Sequence, residues 1–286
     1  MSSQPHSSPL KKITRRTSLG ILGAGILSAA WAFGIEPDHL SITEQDLSLR
    51  DWPHALAGFR VAHLTDLHYR PGADDELTEK LINAVNAAQP DLVLITGDFV
   101  IQDPSSLPEI CRHLKKLKAK HGIIASPGNH DRWYCGDAQL WSEFRKAGIS
   151  YLKNDSTTLS IKGERIFLPG LDSIWGGDID VSRAWKNHRQ RDPVLALVHE
   201  PDVFDHLCDK RPLSLQLSGH THGGQCRVPL IDYAPAKVKF GRNYLYGHFL
   251  KDDAQLWVGR GIGTVGLRIR FACQPELTFL SLRPSA

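Results

Sequence analysis

Short apolar runs and amphipathic stretches alternate along the first half of the chain, whereas the second half is mostly short apolar or alternating runs. Residues 60–65 (Arg-Val-Ala-His-Leu-Thr) read as a buried strand. Residues 74–88 put Leu77, Leu81, Ile82 and Val85 on one face of a helix that Pro90 stops. Residues 91–96 form a second apolar strand, residues 105–119 a basic amphipathic helix with Leu107, Ile110 and Leu114 inward, and residues 123–125 a third strand. A helix over 137–147 follows. Strands are then expected near 157–161, 165–169, 193–198, 213–218, 244–250, 254–258 and 277–282, with an edge strand around 47–49. Alternating β and α followed by a β-rich half predicts an α/β fold of two packed sheets, a β-sandwich, flanked by helices.

The N-terminal pattern is different. Lys11, Lys12, Arg15 and Arg16 precede a run of small and apolar residues over 18–34. A positive segment before an apolar one follows the logic of an export signal. The pair Arg15-Arg16 resembles a twin-arginine signal, and Ala30-Trp31-Ala32 supplies an A-x-A-like cleavage site. The apolar stretch is at the short end of the roughly 17–25 residues that span a bilayer, so an uncleaved N-terminal anchor stays open as the other reading. The chain divides into 1–34 (signal or anchor), 35–58 (linker and edge strand) and 59–284 (catalytic body), with residence in the cell envelope, periplasmic or membrane-anchored.

Composition supports a folded body. The 286 residues are 41% hydrophobic and 23% charged, in the range of a globular protein with a sizeable core. The net charge of +3 is uneven: residues 1–34 carry +4 and the remainder −1. A body near neutrality offers no basic groove for nucleic acid. The five cysteines form no CxxC pair, which disfavours a disulfide framework and leaves room for a single bridge after export.

The chemistry lies where the apolar strands stop. The first runs into Asp66-Leu67-His68, the second into Gly97-Asp98, and the third into Gly128-Asn129-His130-Asp131. The strand over 193–198 runs into His199, and that over 213–218 into Gly219-His220-Thr221-His222. Loops at the carboxyl edge of an α/β sheet form the ligand crevice. Alternation along an extended segment would put Asp66 and His68 on one side, and likewise His220 and His222. Carboxylate, amide oxygen and imidazole suit Mn, Fe or Zn, and the lack of thiolates disfavours a structural zinc. His63 precedes this set and reads as core or as support for a ligand.

The ordered set D-x-H, G-D, G-N-H-D, H and G-H-x-H resembles the calcineurin-like metallophosphoesterase superfamily, whose fold is a four-layer αββα sandwich. The resemblance covers residues 59 to about 225. It implies two divalent metals, with Mn favoured over Fe, Zn or Mg. The first would take Asp66, His68, Asp98 and His222, and the second Asp98, Asn129, His199 and His220. Asp98 would bridge, and His130 would be a catalytic histidine that binds no metal. The run His63–His68, the extended Gly219-His220-Thr221-His222-Gly223-Gly224-Gln225 and Arg260-Gly261-Ile262-Gly263 are similar to a membrane-associated branch. That branch contains twin-arginine-exported phosphodiesterases and UDP-2,3-diacylglucosamine pyrophosphatases. The protein Ser/Thr phosphatases of the superfamily carry an Asp where this chain has Ile101, so a phosphoprotein substrate is disfavoured. Asp131 and Asp103 are the candidates to orient His130 in its place.

The expected activity is therefore metal-dependent hydrolysis of a phosphodiester or pyrophosphate bond. A lipid-linked substrate is favoured, UDP-2,3-diacylglucosamine of the lipid A pathway being the specific candidate. The alternative is an exported phosphodiesterase or phosphatase for other envelope or scavenged esters. Metal coordination pulls the pKa of water from about 15.7 towards 7, and His130 would protonate the leaving oxygen. Arg132, Trp133 and Tyr134 directly follow His130 and are candidates to contact substrate. Residues 229–243 mix apolar, aromatic and basic side chains and suit lipid headgroups, so a membrane surface is an expected partner. The export machinery would be a transient one. Gly261-Ile262-Gly263-Thr264-Val265-Gly266 matches G-x-G-x-x-G, but residues 267–271 alternate like a strand where a dinucleotide site needs a helix.

Overall fold

The computed structural model describes residues 15–229, 231, 233–235 and 238–285. Lys11 and Lys12, and Leu230, Asp232, Ala236 and Lys237 of the 229–243 stretch, lie outside the described residues.

Among the described residues twelve strands occur, in chain order β1 (Ser41–Leu49), β2 (Phe59–Leu64), β3 (Leu92–Thr96), β4 (Ile123–Ser126), β5 (Ser150–Tyr151) and β6 (Asp155–Ile161), then β7 (Glu164–Gly170), β8 (Leu195–Leu197), β9 (Leu215–Ser218), β10 (Gly247–Lys251), β11 (Ala254–Val258) and β12 (Glu276–Pro284). The helices are α1 (Arg15–Gly34), α2 (Asp75–Ala88), α3 (Leu107–Leu114), α4 (Asn129–Tyr134), α5 (Asp137–Ala147), α6 (Val181–Ala184) and α7 (Val203–Lys210). The strands form two six-stranded sheets, ordered β1-β12-β2-β3-β4-β5 and β10-β11-β9-β8-β7-β6. Within each sheet a parallel block carries the site: β2, β3 and β4 in the first, and β7, β8 and β9 in the second.

The period-2 pattern explains the layering. Leu92 and Leu94 of β3 join a core shared with Leu195 and Leu197 of β8 and Leu215 and Leu217 of β9, between the sheets. The intervening Val93 and Ile95 point the other way, into a core with Leu81 and Val85 of α2, Ile110 and Leu114 of α3 and Phe144 of α5. On the second sheet Ala196 and Val198 face Val203 and Leu207 of α7. Strands covered on both faces read as unbroken apolar runs. The result is the expected four-layer order of helix, sheet, sheet, helix.

Two expectations differ from the structure. The helix expected over 105–119 ends at Leu114, beyond which tight turns fold Leu117 back into the core. The residues at 267–271 form no strand; only Phe271 makes an isolated bridge, to Cys226. Alternation there comes from Arg268 and Arg270 turning to different partners, Asp38 and the carbonyls of residues 260–263. The five cysteines are all unpaired.

Helix α1 leaves Leu19, Leu22, Ile26, Leu27 and Phe33 exposed. Its carboxyl end is fastened to the body: the Arg270 N–H donates to Ala32 O (3.1 Å), and Trp31 Nε1 donates to the buried Glu36 (2.8 Å). No helix among the described residues is long and apolar enough to cross a membrane.

Candidate functional site

The parallel strands of both sheets deliver their carboxyl ends to one place. Beyond β2 and β3 the two chains stay paired: the Asp66 N–H donates to Gly97 O (3.0 Å), His68 to Asp98 O (2.9 Å) and Tyr69 to Phe99 O (3.0 Å). This segment is not extended as expected. Asp66, His68, Asp98, His220 and His222 all take left-handed φ values, of 52°, 38°, 57°, 72° and 52°. Such conformations are rare for residues with a Cβ and collect at functional sites. The side chains therefore reach the cluster from turned backbone rather than from one face of an extended strand. Two glycines allow the close approach: a Cβ at Gly128 would collide with the Asp98 carboxylate, and one at Gly219 with Thr65 Oγ1 and Asp66 Oδ2.

The seven predicted ligands are buried and face one another. Asp66, His68 and His222 form one group whose candidate ligand atoms lie within 4.8 Å of each other; Asp66, Asp98 and His199 form a second, and His68, Asp98 and His130 a third. His68 Nε2 is 3.3 Å from Asp98 Oδ2, His199 Nε2 is 3.2 Å from the same oxygen, and His222 Nε2 is 3.3 Å from Asp66 Oδ1. Asp98 thus belongs to both sides of the cluster. Asn129 and His220 line the cleft beside it.

Main-chain carbonyls fix most of the rings. His68 Nδ1 meets Val100 O (3.1 Å), His199 Nδ1 meets Thr96 O (2.6 Å), His220 Nε2 meets Lys239 O (2.6 Å) and His130 Nδ1 meets Ile101 O. A carbonyl only accepts, so each outer nitrogen carries the proton and, in a neutral ring, the other nitrogen keeps its lone pair. His222 is the exception; its Nδ1 is buried without a hydrogen-bond partner.

Neither acid expected to orient His130 does so. The Asp131 carboxylate accepts N–H bonds from Asp98 (2.8 Å), Phe99 (2.8 Å) and Gly128 (2.9 Å), tying the β3 and β4 loops together. Asp103 accepts from Ser105 (2.8 Å). His63, as expected, supports from behind: it is buried, its Nε2 is 2.8 Å from Thr96 Oγ1, and burial lowers its pKa to about 3.

The electrostatics favour cations. Burial pushes the Asp66 carboxyl up and lowers the His130, His220 and His222 rings, His220 to about 3. Burial also opposes charge on Asp98, but the neighbouring His199 and His68 rings hold its carboxyl well below the usual range. Burial opposes charge on His199 too, and there Asp98 prevails and raises the ring well above its ordinary value. A cation seated between His199 and Asp98 would displace the proton that holds this pair together. Asn129 Oδ1 is buried with no hydrogen-bond partner, a cost that a metal would remove. With its carboxylates, amide oxygen and imidazoles, the donor set fits two borderline divalent ions.

The cluster opens into a cleft of about 440 Å³, bordered by Gln102, Trp133, Tyr134, Trp175, Gln225 and Val265. Trp133 and Tyr134 both line it. Arg132 turns away, with Nε 3.0 Å from Asp172 Oδ1 and Nη1 paired with Asp137. Sequence reasoning missed Trp175; its one signal is a lone aromatic in a Ser- and Gly-rich loop.

Comparison with known proteins follows this geometry. The model of the calcineurin-like phosphoesterase family matches residues 59–224. The uncharacterized metallophosphoesterase YkuE of Bacillus subtilis is 32% identical, over 96% of this chain and 99% of its own length. The phosphodiesterase YaeI of Escherichia coli is 32% identical, over 94% and 99%. The UDP-2,3-diacylglucosamine pyrophosphatase LpxG of Chlamydia trachomatis is 27% identical, over 91% and 94%.

Proposed function

This chain belongs to the calcineurin-like phosphoesterase family and is a metal-dependent phosphoric ester hydrolase; on that premise we propose that it cleaves a phosphodiester or pyrophosphate bond of a lipid-linked substrate at the cell envelope. The observation that carries the reading is the convergence of two Asp, one Asn and four His on one buried cluster at the mouth of a cleft. Asp66, His68, Asp98 and His222 would hold one metal, and Asp98, Asn129, His199 and His220 the other. When bound, the pair supplies Lewis acidity toward a phosphoryl oxygen and an activated water.

The remaining work falls to side chains of this protein. Ile101 O holds the proton of His130 at Nδ1, so the protonated ring gives up its Nε2 proton to the leaving oxygen as the P–O bond breaks. The ring is the least buried of the histidines around the cluster, with 9% of its surface exposed, which suits a group that meets substrate rather than metal.

The lipid-linked reading rests on exposed apolar side chains. Ile231, Tyr233 and Leu267 are exposed by 70%, 53% and 69%, and Val265 lines the cleft. Arg270, close by in the chain, binds Ala32 at the end of the exposed apolar helix α1. Exposed apolar side chains together with an apolar helix suit a lipid–water interface. UDP-2,3-diacylglucosamine enters as the specific candidate through the LpxG relative. Hydrolysis of other envelope esters is the second reading, favoured by the phosphodiesterase YaeI. Residues 1–34 serve as the export signal or anchor, and 59–284 as the catalytic body.

The test is a panel of phosphate esters, including a UDP-linked acyl glucosamine, on protein stripped by chelator and reloaded with Mn, Fe, Zn or Mg in turn. Turnover restored by a divalent metal, and highest on the lipid-linked ester, is expected. Hydrolysis of soluble esters alone selects the second reading, and no hydrolysis with any metal rejects both. Replacing Arg15 and Arg16 by Lys should stop export and leave turnover intact; continued recovery outside the cytoplasm removes the signal reading.

A further inference from the structure

We propose that Trp133 and Trp175 form a braced aromatic corner that recognises a flat ring carried by the substrate's phosphate ester; this rests on the phosphoesterase reading above and narrows its substrate class. The two indoles meet edge to face, with centroids 4.7 Å apart and planes at 82°. Each retains about two-fifths of its surface, 41% and 37%. Trp133 lies 5.1 Å from the His130 ring and Trp175 lies 5.6 Å from the His220 ring. The corner therefore spans the cleft from the proton donor to the second metal's ligand.

These are not loosely held surface residues. Arg132, next to Trp133, reaches the buried Asp172 at 3.0 Å. On the other side the buried Glu200, next to His199, accepts the Ser173 hydroxyl, the Ile174 N–H (3.3 Å) and the Trp175 N–H (3.3 Å). The Gly176 N–H donates to Ser173 Oγ (2.9 Å), and a Cβ at Gly176 would press on Asn129 O and Arg132 Cβ. Two ligand-bearing segments thus lock two exposed indoles against each other. Burying the Glu200 carboxylate is costly, and its hydrogen bonds to Ser173, Ile174 and Trp175 hold the loop that carries Trp175.

The geometry selects a ring over an alkyl chain. A flat ring stacks on one indole while its edge meets the other, the arrangement aromatic groups prefer. Gln102, lining the cleft, offers polar atoms to heteroatoms on such a ring, which an alkyl chain would leave unused. Nucleobases and simple aryl groups share this chemistry.

The experiment measures calorimetric binding of four probes to Mn-loaded protein: uridine monophosphate, phenyl phosphate, octyl phosphate and methyl phosphate. Calorimetry needs no turnover, so the corner stands or falls even if no ester in the panel is hydrolysed. In Trp175→Ala and in Trp133→Ala the affinity ratio of uridine monophosphate to methyl phosphate should fall roughly 5- to 150-fold, the range carried by base–aromatic stacking. Trp175→Phe should restore most of it. A fall for phenyl phosphate but not for uridine monophosphate supports the corner with an aryl ring as its guest. An equal loss for all four probes, an equal loss for octyl phosphate, or an unchanged affinity ratio to methyl phosphate for both ring-bearing probes overturns the proposal.

Discussion

The two halves of the cleft are built on different principles. On the metal side, five strand ends, left-handed backbone, close-packed glycines and main-chain carbonyls fix most of the rings and carboxylates, almost without exposed surface. On the outer side stand Trp133, near the end of α4, and Trp175 and Val265, on loops, all exposed; Ile231 and Leu267 are further exposed apolar residues on loops. The difference teaches where this scaffold is free to change. The inner half sets the reaction and tolerates little, whereas the outer half sets what is bound and can be rebuilt with the chemistry intact.

The sharpest way to break that contrast is at Asp98, which both sides of the cluster share. Asp98→Asn should reduce turnover to background and lower metal content at both sites, read by elemental analysis; full occupancy with normal turnover would remove the two-metal assignment. Next in size is His130→Ala, expected to retain both metals and to lose roughly 10²–10⁴-fold in turnover. That loss should be largest for an alkyl leaving group and smallest for p-nitrophenolate, which departs unprotonated. Equal losses for both would make His130 a phosphate-positioning residue.

A smaller effect is expected at Gly219, where a methyl group would displace Asp66. Gly219→Ala should cost about 1–3 kcal/mol in denaturant unfolding and lower metal affinity, since overpacking there moves a ligand. An unchanged midpoint and unchanged affinity would mean that the strand end has slack. The smallest effect belongs to the outer half. Ile231→Asp with Leu267→Asp should leave turnover of a soluble ester within twofold and reduce turnover of a vesicle-borne one about tenfold, as apolar contact with lipid is lost. Equal turnover of both substrates would separate the rim from membranes.

The same division governs what the sequence discloses. Asp66, Asp98, Asn129, His199 and His220 stand out because each follows an apolar run, and the runs exist because β2, β3, β4, β8 and β9 are covered on both faces. The left-handed turns at Asp66, His68 and Asp98 leave no mark in the letters, since non-glycine residues adopt them under tertiary constraint. Trp175 escaped notice because its placement depends on Glu200, 25 residues away, and on Arg132 across the cleft. Alternation at 267–271 suggested a strand, but buried Arg270 is there to bind the carbonyls of Arg260, Gly261 and Gly263. A polar residue in register with apolar ones imitates a strand whenever its partner is main chain.

The bond from His130 to the carbonyl of Ile101 has a consequence for how this enzyme can drift over generations. A carboxylate support is lost by one nucleotide change at its codon. A support made of main chain is encoded at no single codon, so Ile101 can become any residue that fits its partly exposed site without releasing the imidazole. Inheritance of the His130 orientation is thereby spread over the whole loop from Asp98 to Asp103, and only a change in the path of that loop can erase it.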